Sequence, residues 1–315
     1  MRTVVTAALA AGAVFAATVS SAQAGERLLG IVSIAANEAN NVRYIEGARA
    51  AAAEDGWEVS VIDAAGSADQ ANAAIQNFAN RGAAAVIDMV FPYSSIGAGL
   101  AAADSAGIPV VTWGGGLGRT VASTNGSGAP IALPVIEKLM EDLGQGGSLL
   151  ALTYRTGEVC RDRELLLDEL LKARPAITVT KNEVRIPGYL EDGAQYTNAW
   201  LASPPAGAEP LAIWGCWDDP AIGGIGSLRQ QGREDVLVYG VNGNAQALEN
   251  IRRGHMTATA WEDSYAEGYD MVKRLDEIIK AGDAWEPKAA EVPAVLVTQN
   301  NIEKFLEEHP DAYGN

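Results

Sequence analysis

Short apolar runs and longer amphipathic runs alternate along the chain from residue 27 onward. The short runs are apolar on both faces, which is typical of parallel strands buried between helices. The longer runs carry apolar residues at helical spacing, as at Val42, Ile45, Ala48 and Ala52. The pattern therefore predicts strands at 27–34, 57–62, 84–89 and 108–113, separated by helices at 41–55, 67–81 and 94–106.

The same alternation restarts after a glycine-rich stretch at residues 114–128. It predicts strands at 148–154, 177–186, 211–215, 236–241 and 255–261, and helices at 131–143, 161–173, 192–203, 220–231 and 245–253. Repeated strand–helix units form doubly wound parallel sheets, so we predict an α/β protein with two similar lobes. Because the second lobe already has enough strands by residue 261, we expect the next helix, 264–281, to pack back on the first lobe. The segment 292–298 and a helix at 302–308 close the chain.

The first 24 residues have the order of a secretory signal peptide. Arg2 supplies a positive charge, residues 4–17 are uncharged, and Ala22 and Ala24 form an Ala-x-Ala cleavage site. The apolar run is shorter than the roughly 20 residues that span a bilayer. We expect cleavage near Ala24 and export to the periplasm, without a lipid anchor because no cysteine follows the cleavage site. An Ala-rich core helix is the alternative.

The chain is strongly acidic, with a formal net charge of −17. Such a surface repels phosphate backbones and anionic lipids, which argues against nucleic acid and membrane-surface partners.

Residues suited to catalysis or metal binding are scarce. His255 begins a predicted strand and His309 lies near the C-terminus, so neither histidine is expected in a cleft. Asp218 and Asp219 could act as acid and base, but adjacent side chains diverge, and a polar rim is the simpler interpretation. There is no metal-ligand spacing, and the glycines at 114–116 are not followed by the Lys-Ser or Lys-Thr of a phosphate loop. We therefore predict a binding protein without metal or cofactor, not an enzyme.

The expected ligand site lies beyond the carboxyl ends of the strands, where open α/β sheets bind their ligands. Aromatic side chains there can cover the C–H face of a sugar or polyol, and polar ones can pair with hydroxyl groups. Trp113 and Trp261 could instead only fill space at the lobe edges, and Asn242 could be an ordinary Asn-Gly turn residue. The candidates chosen by position are Asn40, Phe91, Trp113, Tyr154, Trp217, Asp218, Asn242, Trp261 and Glu262.

Several short segments resemble, in their order and spacing, the type I periplasmic solute-binding proteins of ABC transporters, in particular the ribose and related sugar-binding group. They are Glu46-Gly47-Ala48, Ala106-Gly107-Ile108-Pro109, Ser123-Thr124-Asn125-Gly126, Cys160-Arg161-Asp162-Arg163, Trp217-Asp218-Asp219-Pro220 and Tyr239-Gly240-Val241-Asn242-Gly243. The similarity covers essentially the whole chain after residue 25. In this family the segment at 160–163 often carries a ligand-binding arginine, which makes Arg161 a candidate. A surface salt bridge at a helix N-terminus is the alternative for Arg161.

The resemblance implies two lobes joined by three hinge crossings. We expect the first lobe at residues 25–123 plus 263–293 and the second at 124–262 plus 294–315. The implied function is that of a monomeric periplasmic component of an ABC importer. It would close over a small neutral carbohydrate or polyol and then dock on a membrane permease. A ligand-binding partner of a sensor kinase or chemoreceptor would have the same fold and cleft, and is the alternative function.

The candidate cleft departs from the family at three places. Asn40 and Asn41 stand where adjacent aromatic residues are common, Trp113 and the following glycines replace an Asp-Arg pair, and Trp217 replaces an Asn. Several hydroxyl partners are therefore absent. We expect a polyol, a deoxy sugar or another less hydroxylated solute rather than ribose or glucose.

The two cysteines, Cys160 and Cys216, are expected at the same end of neighbouring strands, because the first and third strands of a doubly wound sheet are adjacent. A Cα separation of ~6 Å, which suits a disulfide, is then within reach. The pair is predicted either as a disulfide that stiffens the cleft rim or as two buried thiols.

Overall fold

The structure is a computed structural model that describes residues 27–126, 128–202 and 209–314. The predicted signal peptide lies outside these residues. The chain begins with β1 (Arg27–Ser33), α1 (Ala39–Glu54), β2 (Trp57–Asp63), α2 (Ala68–Asn80), β3 (Ala85–Met89), α3 (Gly97–Ser105), β4 (Val110–Trp113) and β5 (Val121–Asn125). It continues with α4 (Ala129–Leu143), β6 (Gly147–Thr153), α5 (Glu158–Leu171), β7 (Ile177–Glu183), α6 (Tyr189–Ala202), β8 (Leu211–Gly215), α7 (Asp218–Gln231), β9 (Val236–Asn242), α8 (Ala245–Arg252) and β10 (Ala258–Trp261). It ends with α9 (Ser264–Ala281), β11 (Lys288–Ala289), β12 (Val295–Thr298) and α10 (Ile302–Glu308).

These strands form two six-stranded sheets. The first has the order β11-β5-β4-β3-β1-β2 and is parallel throughout. The second has the order β12-β10-β9-β8-β6-β7 and is parallel except for β12, which runs antiparallel to β10. In each sheet the strand order reverses beside the first strand of the unit, as in doubly wound folds. The predicted two-lobe α/β fold is confirmed.

The chain passes between the lobes three times, after β5, between β10 and α9, and between β11 and β12. Helix α9 packs against α1 of the first lobe, as the sequence pattern predicted. Strand β5 stays in the first sheet as far as Asn125, two residues beyond the predicted boundary, and the two-residue strand β11 was not predicted. We propose the remaining predicted lobe boundaries unchanged, because every other strand belongs to the sheet of the lobe in which its residues were predicted.

Several helices begin at the carboxyl ends of strands with a side chain that accepts a hydrogen bond from the first turn. Glu38 caps α1, Asn244 caps α8 and Asp263 caps α9. The caps therefore bring polar side chains to the edge of the sheets where the predicted cleft lies. Within the described ranges, no helix has the length and apolar character needed to cross a membrane.

Helices α1 and α9 approach each other so closely that glycine is required on both. A Cβ on Gly47 would lie 1.9 Å from the carbonyl oxygen of Tyr265, and one on Gly268 would lie 2.0 Å from that of Tyr44. The second lobe repeats the arrangement, since a Cβ on Gly193 would lie 2.1 Å from the carbonyl oxygen of Pro220. Backbone contact thus attaches α9 to the first lobe.

We predict that Gly47→Ala destabilises the protein by about 1–3 kcal/mol, because the added methyl group overpacks the α1–α9 contact. Gly226→Ala is the matched control, since Gly226 lies inside α7 and a Cβ added there would meet no atom within 4 Å. There alanine should stabilise by about 0.5–1 kcal/mol. Urea unfolding measures both, and equal effects at the two sites would contradict the close helix contact.

Candidate functional site

The two lobes enclose a cavity of about 550 Å³, part of which is open to solvent. We call it the interlobe cavity. Its first-lobe lining is Ile34, Ala35, Glu38, Asn41, Val90, Trp113 and Gly126. Its second-lobe lining is Tyr154, Val159, Cys160, Arg163, Ile186, Trp217, Asn242 and Glu262. The position of the cavity beyond the strand ends is where such sheets bind ligands.

The lobes touch each other around this cavity. The carbonyl oxygen of Val90 accepts a hydrogen bond from the backbone N–H of Glu158 at 3.3 Å, and Asn40 Nδ2 donates to Glu262 Oε1 at 3.0 Å. Val90 has a φ of 79°, an unfavourable conformation for a β-branched residue. Strain of this kind concentrates at functional sites, where surrounding contacts hold it. The structure therefore shows a closed arrangement.

Arg163 is the buried cation of the cavity, with 2% of its side chain exposed. Its Nη1 donates to the carbonyl oxygen of Cys216 and to Asn242 Oδ1, both at 2.7 Å. Its Nη2 lies 3.9 Å from Glu262 Oε1, an ion pair beyond hydrogen-bond distance. Burial lowers the pKa of Arg163, and the negative charge of Glu262 opposes that shift. These partners orient the guanidinium along the cavity wall.

Arg161, the arginine that the resemblance favoured, lies elsewhere. Its side chain is 40% exposed and forms an ion pair with Glu158 on the same helix. Residues two apart on a helix point about 200° away from each other, so Arg161 and Arg163 cannot share a face. The sequence does contain a signal for Arg163, because it falls on the buried stripe that Cys160 and Leu167 define at helical spacing.

Three aromatic residues form walls of the cavity. Trp113 from the first lobe packs on Tyr44 with the ring centroids 4.7 Å apart. Trp217 from the second lobe meets the edges of Tyr154 at 6.1 Å and Tyr189 at 5.5 Å. Burial raises the pKa of Tyr154 to about 12, so its hydroxyl group keeps its proton and can donate a hydrogen bond. Both lobes thus offer flat apolar surface to a ligand.

Glu38 brings an unpredicted carboxyl group to the cavity. Its Oε2 accepts from the backbone N–H of Asn41 at 2.9 Å, whereas its Oε1 is buried without a partner within the described parts of the chain. Burial, together with the charge of Asp219, raises the pKa of Glu38 to about 8. Burial also raises the pKa of Asp219 to about 6 and that of Asp218 to about 8. Below its raised pKa, Glu38 presents an O–H donor.

A disulfide joins Cys160 and Cys216, whose Cα atoms are 5.3 Å apart. Cys160 lines the cavity, and the carbonyl oxygen of Cys216 accepts from Arg163. The bridge therefore connects the start of α5 to the end of β8 on either side of the buried guanidinium.

Five of the residues predicted by position line the interlobe cavity, namely Trp113, Tyr154, Trp217, Asn242 and Glu262. Asn40 lies behind this wall and holds Glu262 by the hydrogen bond given above. Asp218 is fully buried and accepts from the backbone N–H of Asn244 at 2.8 Å and from the Thr259 hydroxyl group at 2.7 Å. Asn40 and Asp218 thus support the site from outside the cavity.

The last two predicted residues point away from the cavity. Phe91 is fully buried in the hydrophobic core. Trp261 packs against Phe305 and His309, at centroid distances of 5.2 and 4.5 Å, and lines a separate crevice beside the hinge crossings. The sequence placed both residues at strand ends, but it does not determine the direction in which their side chains point.

The cavity has no arrangement suited to metal. Among the described residues, no three His, Cys, Asp or Glu side chains come together as a metal site requires.

The sequence of this chain is similar to those of known proteins. A family model described as a periplasmic binding protein domain matches residues 29–283. A D-apiose import binding protein from Actinobacillus succinogenes is 23% identical, over 82% of this chain and 84% of the relative. A xylitol-binding protein from Mycolicibacterium smegmatis is 24% identical, over 80% of this chain and 70% of the relative.

A solved structure has the same fold. An ABC transporter solute binding protein from Agrobacterium vitis, with bound allitol, aligns with a TM-score of 0.82 at 21% identity and covers 90% of this chain and 99% of that chain. The likeness extends over both lobes.

We predict that the pKa shift of Glu38 makes stability fall as the pH rises. The folded-state pKa of about 8 exceeds the ordinary value of 4.5, so the stabilisation is complete below pH 4.5 and is lost as the pH rises through 8. Glu38→Gln should remove about 2 kcal/mol of this pH dependence, on the scale of 1.4 kcal/mol per pKa unit and with allowance for relaxation. Thermal unfolding between pH 4.5 and 9 measures it.

Glu46→Gln is the control, because Glu46 is exposed on the same helix. Its melting temperature should follow the wild-type pH profile. A Glu38→Gln profile parallel to that of the wild type would contradict a protonated Glu38.

Proposed function

Since the chain belongs to the periplasmic binding protein domain family, we propose that it closes over a small uncharged polyol or sugar as the solute-binding component of an ABC importer. The family consists of binding proteins, and the chain is not an enzyme. The observation that carries the proposal is that aromatic and hydrogen-bonding side chains from both lobes line one closed cavity. A solute held by both lobes stabilises the closed form, which the permease then recognises.

The charges of the cavity favour an uncharged ligand. Arg163 already has Glu262 as counter-ion, and Nη1 is occupied by protein oxygens. The Glu262 carboxylate would repel the carboxylate of a sugar acid. Asn41 Nδ2 already donates to the carbonyl oxygen of Ala35 at 2.7 Å. The groups that we assign to ligand hydroxyl groups are therefore Nη2 of Arg163, Oε1 of Glu38 and Oδ1 of Asn41.

The aromatic walls favour a ligand with an extended C–H surface. Trp113 and Trp217 approach from opposite lobes, so a narrow solute can contact an indole on each side. The names of the relatives refer to apiose, a pentose, and to xylitol, and the Agrobacterium protein holds allitol. These names support a pentose or an acyclic polyol as the ligand class here.

Transport is favoured over sensing, because the relatives include import binding proteins for apiose and ribose. We further propose that residues 1–24 direct export, with cleavage near Ala24, and that the protein acts as a monomer in the periplasm.

Titration calorimetry of residues 25–315 against xylitol, allitol, myo-inositol, ribose and xylonate tests the ligand class. We expect at least one neutral solute to bind with a dissociation constant in the micromolar range or below, and xylonate not to bind. Small-angle scattering should show a smaller radius of gyration with the bound solute. Binding of xylonate alone, or of none of these solutes, would count against the proposal.

We predict that Arg163→Ala weakens binding of the best solute at least about 100-fold, or roughly 3 kcal/mol, because a charge-assisted donor is lost and Glu262 stays buried without its counter-ion. Arg163→Lys keeps the charge but not the planar fork, and an intermediate loss of about tenfold is expected. Arg161→Ala is the matched control on the same helix and should change affinity less than twofold. The reverse order of effects would refute the assignment of Arg163.

A further inference from the structure

Two carboxyl groups meet at the second hinge crossing. Glu262 follows β10 and Glu267 lies in the first turn of α9; their exposures are 2% and 6%. The two carboxyl groups also act on each other's pKa, since a side-chain hydrogen bond between them lowers the pKa of Glu262 and raises that of Glu267. Glu262 Oε1 also accepts from Asn40 Nδ2 at 3.0 Å, and Glu267 Oε2 accepts from Trp113 Nε1 at 2.7 Å.

The remaining oxygens of this pair, Glu262 Oε2 and Glu267 Oε1, are buried and meet no N–H or O–H donor elsewhere in the described chain. Two carboxylate groups cannot hydrogen-bond without a proton, because each is an acceptor only. One proton between them satisfies both buried oxygens.

We propose that Glu267 is a positioning residue for the ligand site: it holds one proton shared with Glu262 and thereby fixes the Trp113 indole and the Glu262 carboxylate, both of which line the interlobe cavity. This inference rests on the function proposed above, which makes the cavity the ligand site. Glu267 itself does not line that cavity, and its effect on the ligand passes through the two residues that it holds.

The surrounding charges agree with a single shared proton. Arg163, 3.9 Å from Glu262, can balance one negative charge. Asp263 adds negative charge beside Glu267, and burial raises the pKa of both members of the pair, further for Glu267 because of the charge of Glu262. The other titratable groups that face the pair are Tyr44 from α1, Arg274 and Asp270 from α9, Glu291 from the third crossing, and His309.

Loss of the proton would place two negative charges in contact inside the hinge. Their repulsion opposes the contacts to Asn40 and Trp113, which attach the crossing to the first lobe. Since the folded-state pKa of Glu267 is raised, this stabilisation is complete below the ordinary pKa of a carboxyl group and disappears as the pH rises through the raised value. Ligand affinity should fall in the same direction.

Glutamine at position 267 imitates the protonated state. Its amide N–H can donate to Glu262 where the proton did, and its amide oxygen can accept from Trp113. Alanine removes both interactions, and Glu277→Gln, further along α9 at an exposed position, is the matched control.

The experiment measures the affinity of the full mature chain for xylitol, or for the tightest-binding solute of the panel above, between pH 5 and 9.5. We expect wild-type affinity to fall at least fivefold at the alkaline end. Glu267→Gln should bind within threefold of the wild type at pH 6 without that alkaline loss, Glu267→Ala should bind at least tenfold more weakly throughout, and Glu277→Gln should follow the wild type. Equal weakening by Gln and Ala, or the same pH profile for Gln and wild type, would overturn the proposal.

Thermal unfolding without any solute separates this inference from the proposed function. If no solute of the panel binds, the melting temperature of Glu267→Gln should still fall less steeply with pH than that of the wild type. Parallel melting profiles would refute the shared proton whatever the ligand of the cavity.

Discussion

The cleft is organised around the compensation of one buried positive charge. A guanidinium removed from water is stable only where acceptors and a counter-ion surround it. For Arg163 these are the carbonyl oxygen of Cys216, Asn242 Oδ1 and Glu262, which come from the ends of three different strands of the second sheet. The disulfide between Cys160 and Cys216 joins one of these strand ends to α5, the helix that carries Arg163. The position of the Arg163 guanidinium thus depends on the carboxyl ends of several strands of the second sheet. The proposed ligand site includes this guanidinium.

Closure brings the first lobe to this edge. Asn40 reaches Glu262, the strained Val90 offers its carbonyl oxygen to Glu158, and Trp113 completes the cavity wall. The first lobe can respond as a unit because α9 is attached to α1 by backbone contact at Gly47 and Gly268. The second crossing is therefore connected to the first lobe through the closely packed α1–α9 pair.

The closed cleft also gathers carboxyl groups whose pKa is raised by burial, which favours their protonated form. The raised pKa values of Glu38, Asp218 and Glu267 have the same physical cause, the loss of hydration on burial. A protonated carboxyl group both donates and accepts hydrogen bonds, which suits hydroxyl groups better than charged groups. The proposed neutral solute and the predicted loss of affinity at alkaline pH thus follow from the same arrangement of buried carboxyl groups.

The sequence by itself determined the α/β class, the two repeated lobes, the return of α9 to the first lobe and the edge of the sheets where the site lies. These features depend on local periodicity and on general rules of sheet topology, which a single chain carries in its pattern of apolar residues. It also placed Trp113, Tyr154, Trp217, Asn242 and Glu262 on loops that meet in one cavity.

Only the tertiary structure showed that Arg163, and not Arg161, lines the cavity. It also showed that Phe91 and Trp261 point away from the cavity, and it revealed the buried carboxyl groups of Glu38 and Glu267. These outcomes depend on helix register and on contacts between distant residues, such as Asn40 with Glu262 and Arg163 with Asn242. A strand end shows where a loop begins, but the direction of a side chain depends on what packs around it. That packing exists only after both lobes have folded and closed.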